Sequence, residues 1–288
     1  MEGGVLPRIK ELLHRIGERK AEYFAVMDLT SGYHQTAVDE ESMKYTAFVT
    51  SAGVFEWRRV PMGLKGAPTY FQREMAQTVL AGIIGYGAEL YIDDCIVYGK
   101  TEEEFLHNLE TVFQKFKAHN ITLNPKKCRF GQSAIEYLGQ IIDEHGLRFS
   151  KEKLDSVLNF TTPVVIKDLQ KFIGLVNWFR DHIPNLSEEM KLLREMEEEA
   201  KKSRKLRWTD ERSAQFENLK QIFNDLQSLY FLVEGGTVKV YTDASDYAIG
   251  GYVCQIVNGR EQPVGFMSKT LTHDQRKWTT TERECYAI

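Results

Sequence analysis

Tyr91-Ile92-Asp93-Asp94 sits between two apolar runs, Ala88-Glu89-Leu90 and Cys95-Ile96-Val97-Tyr98. Each run reads as a short buried strand, which puts the acidic pair at a hairpin tip. Side chains along a strand alternate between its faces, so two adjacent carboxylates converge only where the chain turns. Like charges at close range resist joint ionisation. A divalent cation offsets that cost, and magnesium is the hard, oxygen-seeking candidate. A bare Asp-Asp pair is usually an ordinary surface turn, because turns favour Asp. The apolar strands on both sides argue against that reading here.

A third carboxylate lies upstream. Tyr23-Phe24-Ala25-Val26-Met27-Asp28 is an apolar run closed by an acid and followed by the turn-forming Thr30 to Gln35. It reads as a central strand buried on both faces. A charge at its end is costly unless it is paired or bound to metal. Asp28, Asp93 and Asp94 could together clamp two metals about 3.5–4 Å apart, the arrangement that stabilises the attacking and leaving oxygens of a phosphoryl displacement. For Asp28 alone, a strand-ending turn residue remains an equal reading.

At this point the sequence resembles the reverse transcriptase of gypsy-type LTR retrotransposons. Five blocks carry the likeness in order: Phe24 to Gln35, Val60-Pro61-Met62-Gly63-Leu64-Lys65-Gly66-Ala67-Pro68, Tyr91 to Asp94, Leu123-Asn124-Pro125-Lys126-Lys127-Cys128, and Tyr137-Leu138-Gly139. A sixth, Tyr241-Thr242-Asp243-Ala244-Ser245, is similar to the start of the RNase H domain that follows the polymerase in that family. The resemblance implies an α+β polymerase palm with partial fingers over residues 1–145. A helical thumb and connection would follow over 146–232, and an incomplete RNase H-like α/β domain over 233–288.

The same resemblance implies the chemistry. Asp28, Asp93 and Asp94 would hold two Mg2+ ions, with Mn2+ as a substitute. One ion would lower the pKa of a primer 3′-hydroxyl and the other would neutralise the leaving pyrophosphate. Leu29, Tyr33, Met62 and Gly63 would line the nucleotide pocket, with Tyr33 rejecting a 2′-hydroxyl by steric contact. Lys127 would help protonate the pyrophosphate. Asp243 and Glu284 would be the first two metal-binding carboxylates of the RNase H site, with Glu282 close by. Implied partners are an RNA or DNA template with its primer, dNTPs, and the protease, integrase and capsid products of the parent element. The implied location is the cytoplasm, inside a virus-like particle, or the nucleus. From the residues alone, Tyr33 reads equally well as a core tyrosine, Lys127 as a solvated basic turn, and Val60 to Pro68 as a plain loop before a helix.

The remaining chain fits this organisation. Apolar spacing predicts helices over Pro7 to Ile16, Thr69 to Leu80, and the stretch opened by a Thr101–Glu104 capping box, which would bury Phe105, Leu109, Val112, Phe113 and Phe116. A hairpin is expected over Thr46 to Arg59, and a strand over Tyr137 to Ile142, where the resemblance implies the hairpin that grips the primer end. Ser150, Lys167, Ser187 and Thr209 open further helices, while the charge run Glu195 to Lys205 reads as a solvated linker. Asn258-Gly259 is a strong hairpin-turn signal.

No apolar run reaches the roughly 18–20 residues of a membrane helix, so no membrane role is expected. Cys95, Cys128, Cys254 and Cys285 form no Cys-x-x-Cys pair, which argues against a zinc site or a disulfide framework. The net charge of −4 is mild evidence against nucleic-acid binding, which usually brings a basic face. Compared with the resembled family, the chain has few residues before Pro7 and few after Glu284. The expectation is therefore a polymerase whose isolated chain is poorly active and whose RNase H portion is inactive. The rival reading is a non-catalytic remnant or domesticated nucleic-acid-binding module. Another two-metal nuclease would need neither Tyr33 nor Leu138-Gly139.

Overall fold

A computed structural model of the chain describes residues 6–288. It divides into two compact units at His145/Gly146.

In the first unit, helix α1 (Ile9–Glu18) buries Leu12, Leu13 and Ile16 on one stripe. Strand β1 (Tyr23–Asp28) follows, then the single turn α2 (Glu40–Met43) and a small hairpin of β2 (Phe48–Thr50) and β3 (Gly53–Phe55). Helix α3 (Ala67–Glu74) has Pro68 in its first turn, where no N–H is needed, and ends in a π-helical turn over Met75–Val79. Strands β4 (Ala88–Tyr91) and β5 (Asp94–Gly99) form the central hairpin. Helix α4 (Glu102–Ala118), strand β6 (Arg129–Gln132) and the hairpin of β7 (Ala134–Tyr137) and β8 (Gln140–Asp143) complete the unit.

The main sheet has the order β4-β5-β1-β6, with β1 antiparallel to both neighbours. Ala25, Met27, Cys95 and Val97 point to one face and pack with Phe71 and Met75 of α3 and Phe105, Val112 and Phe116 of α4. Alternation then turns the even-numbered Asp28 and Asp94 to the opposite face. On that face Glu89 of β4 is buried, and Arg15 of α1 donates to both its carboxylate oxygens at 2.7 and 2.9 Å.

Several details differ from the sequence reading. Phe113 is exposed, lying beside the ring of Phe130 at 5.9 Å, because α4 buries a narrower stripe than its apolar content allows. The capping box is incomplete. The Thr101 hydroxyl accepts from the Glu104 N–H, but the Glu104 carboxylate accepts from the Lys100 N–H instead of that of Thr101. Thr101→Ala is expected to cost about 1 kcal/mol, read by urea unfolding. The stretch Tyr137 to Ile142, read locally as one strand, is the hairpin that the resemblance implies. Leu138 (φ 50°) and Gly139 (φ 77°) form its two-residue turn, both left-handed as in a type I′ turn, whose twist matches that of the strands.

In the second unit, β9 (Gly146–Arg148) pairs with β10 (Leu229–Tyr230). Between them run α5 (Lys151–Leu158), α6 (Ile166–Trp178), the single turn α7 (Leu186–Glu189), α8 (Lys191–Ser203) and α9 (Asp210–Ile222). Ser150 and Thr209 cap α5 and α9 as expected. The charge run is not a linker. It is most of α8, which buries Leu193, Met196 and Ala200 while Lys201 bridges Glu197 and Glu198 across the solvent face. Dense charge conceals the helical spacing of those three apolar residues.

The last part of this unit is a three-stranded antiparallel sheet, β11 (Thr237–Ala244), β12 (Ala248–Val257) and β13 (Arg260–Thr270), followed by α10 (Thr280–Ala287). Asn258 (φ 52°) and Gly259 (φ 73°) make the expected turn between β12 and β13.

Candidate active site

The β4–β5 turn holds two residues, Ile92 and Asp93, because Tyr91 pairs directly with Asp94. Asp93 is therefore in the turn, and Asp94 is the first residue of β5. The acids do not share the tip as expected. Asp94 instead stands opposite Asp28 in the β1–β5 register, on the same face of the sheet. The end of β1 is tied to the turn by the Leu29 N–H, which donates to the Asp93 carbonyl at 3.2 Å.

Ile92 adopts φ 58°, a left-handed conformation that costs an L-residue about 1–2 kcal/mol and suits a β-branched side chain poorly. Gln72 of α3 holds it there. Its side-chain oxygen accepts from the Ile92 N–H at 2.6 Å, and its amide donates to the Leu90 carbonyl at 3.0 Å. Nothing in the sequence reading singled out Gln72. The available signal was a polar residue at a buried position between Phe71 and Met75. Gln72→Leu should cost about 1–3 kcal/mol, since it strands a backbone N–H and a carbonyl in a largely dry site. Thermal unfolding measures the stability loss.

Asp28 is held from the other side. The Asn124 N–H donates to the Asp28 carbonyl at 2.9 Å, and the Lys127 N–H returns to the Asn124 carbonyl at 3.0 Å. This turn delivers the Lys127 ammonium to within 3.1 Å of Asp28 Oδ2. The side chain of Lys127 is therefore paired at the acidic centre, although it remains largely exposed. Gln35, a second residue missed from sequence, bonds to the Thr30 and Thr122 carbonyls and accepts from the Thr122 N–H, closing the loop behind Asp28.

The electrostatics follow from this crowding. The Asp94 carboxyl is pushed up first by burial, then by Asp93 and Asp28, with Lys127 pulling the other way. Its backbone carbonyl accepts from the buried Tyr137 hydroxyl at 3.2 Å, which links the acid to the β7–β8 hairpin. A cleft of about 280 Å³ lies there, lined by Val26, Asp94, Lys127, Arg129, Glu136 and Tyr137.

Tyr33 meets Phe71 edge-on at 5.4 Å, and its phenol is pushed up by burial and then by Asp93. Gly32 beside it is closely packed, so a side chain there would require its neighbours to yield. A Cβ there would lie 3.2 Å from the Phe71 ring and 3.3 Å from the Asp93 Cβ. Met62 is exposed and Gly63 adopts φ 96° on the loop before α3. Their neighbours Val60, Leu64 and Lys65 line a separate cleft of about 360 Å³.

The donors at the centre are all carboxylate oxygens, which suits a hard divalent cation. Asp28 and Asp94 are cross-strand neighbours, and their mutual repulsion is the kind a cation relieves. Among the described residues no three His, Cys, Asp or Glu side chains are already gathered as a metal cluster. In the second unit, Asp243 is exposed near the end of β11, and Glu284 is partly exposed on α10, which packs against β11. Glu282 is committed to the helix start, where it accepts from the Thr279 N–H and hydroxyl.

Comparison with known proteins agrees with this geometry. Residues 6–142 match the family described as reverse transcriptase (RNA-dependent DNA polymerase), and residues 208–288 match the RNase H-like domain found in reverse transcriptase. The chain is 35% identical over 283 residues to the retrovirus-related Pol polyprotein from transposon 412 of Drosophila melanogaster, covering 98% of this chain and 22% of that protein. It is 31% identical over 284 residues to the transposon Tf2-3 polyprotein of Schizosaccharomyces pombe, covering 98% of this chain and 21% of that protein. The chain thus spans about a fifth of the length of these relatives. Among solved structures, a foamy viral protease-reverse transcriptase in complex with RNA/DNA hybrid superposes with a TM-score of 0.84 at 25% identity, over 99% of this chain and 38% of that one. The chain therefore carries a reverse transcriptase domain followed by the RNase H-like domain found in reverse transcriptase, and is similar over nearly its whole length to part of the Pol polyproteins of LTR retrotransposons.

Proposed function

We propose that the chain is an RNA-directed DNA polymerase core that adds dNTPs to a primer 3′-hydroxyl on an RNA or DNA template. The observation that carries this reading is the placement of Asp94 opposite Asp28, with Asp93 on the adjoining turn. Support for the nucleic-acid partner comes from the foamy viral enzyme, whose structures hold RNA/DNA hybrid or double-stranded DNA. In this reading residues 1–145 are palm and partial fingers, 146–232 thumb and connection, and 233–288 the RNase H-like part.

Asp28, Asp93 and Asp94 are the residues that would hold divalent cations, Mg2+ or Mn2+. Bound there, such cations supply charge neutralisation at the attacking and leaving oxygens. Tyr33 shapes the sugar side of the nucleotide pocket, and Leu29, Met62 and Gly63 are proposed to line it as well. Lys127 carries a proton at Nζ within reach of the carboxylates and is suited to neutralise or protonate a leaving pyrophosphate. Tyr137 fixes the backbone of Asp94 from the primer side. Asp243 and Glu284 are proposed as carboxylates of a second, RNase H-like centre.

Primer extension on an RNA template with Mg2+ tests the reading. Extension by the chain that disappears in Asp93→Asn is the expected result. Equal extension by both proteins would refute the assigned site.

A further inference from the structure

Lys127 reaches the acidic centre from a segment tied to β1 and its continuation on both sides. Leu123 bridges to Leu29, and the Asn124 N–H donates to the Asp28 carbonyl. Two residues past Lys127, Arg129 opens β6 opposite Val26. Between these ties the turn is closed from within. The Asn124 carbonyl accepts from the Lys127 N–H at 3.0 Å and from the Cys128 thiol at 3.2 Å, and the Asn124 side-chain oxygen accepts from the Lys126 N–H at 3.3 Å. Backbone bonds therefore fix where Lys127 stands, and its ammonium meets Asp28 Oδ2 at 3.1 Å from a defined position.

The same ammonium acts on a second acid. Lys127 pulls the Asp94 carboxyl down, against burial, Asp93 and Asp28. One positive charge thus offsets part of the repulsion between two acids that stand opposite each other on β1 and β5. A divalent cation at these carboxylates would relieve the same repulsion. The two compete. An ammonium donating to Asp28 Oδ2 takes up one of the acceptor sites of that oxygen, and positive charges a few ångströms apart repel. Lysine suits an exchange of this kind, because its compact charge rides on a flexible four-carbon stem and can leave while the backbone stays in place.

We propose that Lys127 is a resident counter-ion that competes with divalent cations for Asp28, neutralising the acidic centre until a cation is bound and letting go of Asp28 when one is. This rests on the assignment of Asp28, Asp93 and Asp94 as cation ligands. It joins two roles in one side chain, since the Nζ given up by Asp28 is the one assigned above to the leaving pyrophosphate.

Two readouts on the full chain, without nucleic acid or dNTP, test this. The first is Mn2+ affinity, taken from the rise in melting temperature as Mn2+ is titrated. Lys127→Met should tighten Mn2+ binding about tenfold, the scale of one repulsion between an ammonium and a divalent cation a few ångströms apart under water-like screening. Lys127→Arg should bind as the wild type does. Lys126→Met removes the same charge one residue earlier but keeps the Asp28 ion pair, and should leave the affinity close to that of the wild type. The second readout is the reactivity of Lys127 toward an amine-acetylating reagent, followed by peptide mass spectrometry. Mn2+ should raise it in the wild type and not in Asp28→Asn, where the ion pair is already lost. Unchanged or weaker Mn2+ binding by Lys127→Met overturns the competition and leaves the cation site standing, as does wild-type Lys127 reactivity that ignores bound Mn2+. Equal tightening by Lys126→Met also overturns it, by reducing the effect to net charge. Absence of Mn2+ binding in the wild type and both Lys127 variants overturns the cation assignment itself, and the competition with it.

Discussion

Asp94→Asn is expected to lower primer extension by at least about 10³-fold while raising the melting temperature of the chain. The first effect rests on the proposed polymerase reading and follows from removing one of the three carboxylates proposed to hold the divalent cations. The second follows from the same charge being costly to the fold. Burial, Asp93 and Asp28 all push the Asp94 carboxyl above the usual carboxylate range, and Lys127 offsets only part of this. For an acid whose folded-state pKa is raised, the folded protein binds the extra proton in the window between the ordinary and the raised value. Stability therefore falls as pH rises through that window and stays lower above it. Asn mimics the protonated form at every pH, so the melting-temperature gain should be present at neutral pH and shrink in acid. The wild-type rate should begin to fall, on acidification, above the pH where an ordinary aspartate would protonate. Melts of both proteins at neutral and acidic pH, with a pH–rate profile, measure all three. A variant that is inactive and less stable at neutral pH would contradict the argument.

Arg15→Met is expected to destabilise the first unit by about 3–5 kcal/mol, toward the lower end because the Arg15 side chain is itself partly exposed. Its partner Glu89 is 1% exposed and has both carboxylate oxygens bonded to the guanidinium. Removing Arg15 leaves a buried charge without a counter-ion. The nearby Tyr98 hydroxyl is also buried and has no hydrogen-bond partner among the described residues, and burial followed by Glu89 pushes its ionisation up. The pair is not required for its own energy, since replacing a buried ion pair by apolar residues is often neutral. Adding Glu89→Leu to Arg15→Met should therefore recover most of the loss. Urea unfolding of the single and double variants decides this, and a single-variant cost below about 1 kcal/mol would contradict the burial argument.

Much of this architecture was legible in the sequence because it depends on local patterns. Apolar runs ending in Asp28 and flanking Asp93-Asp94 give strands, Asn258-Gly259 gives a turn, and Ser150 and Thr209 give helix starts. What was missed depends on partners far apart in the chain. Gln72 and Gln35 look like ordinary polar residues until folding places backbone groups around their amides. The Tyr137 hydroxyl has the same character, since its acceptor lies 43 residues away. The division of roles at the acidic pair was also hidden, because a one-residue difference in turn length decides whether Asp94 sits in the turn or on the strand. Helix α8 was misread for the opposite reason, with charged residues outnumbering the three that settle its fold.

Six consecutive residue pairs, from Tyr23 with Gly99 to Asp28 with Asp94, set the spacing of the acidic centre. Side chains on β1 alternate between faces, so inserting or deleting one residue within Tyr23 to Met27 would turn Asp28 toward the helices or displace it from Asp94. Point substitutions along the strand leave that phase intact. In a replicating genetic element, in-frame codon gains and losses in this short interval would therefore silence a copy more reliably than most missense changes.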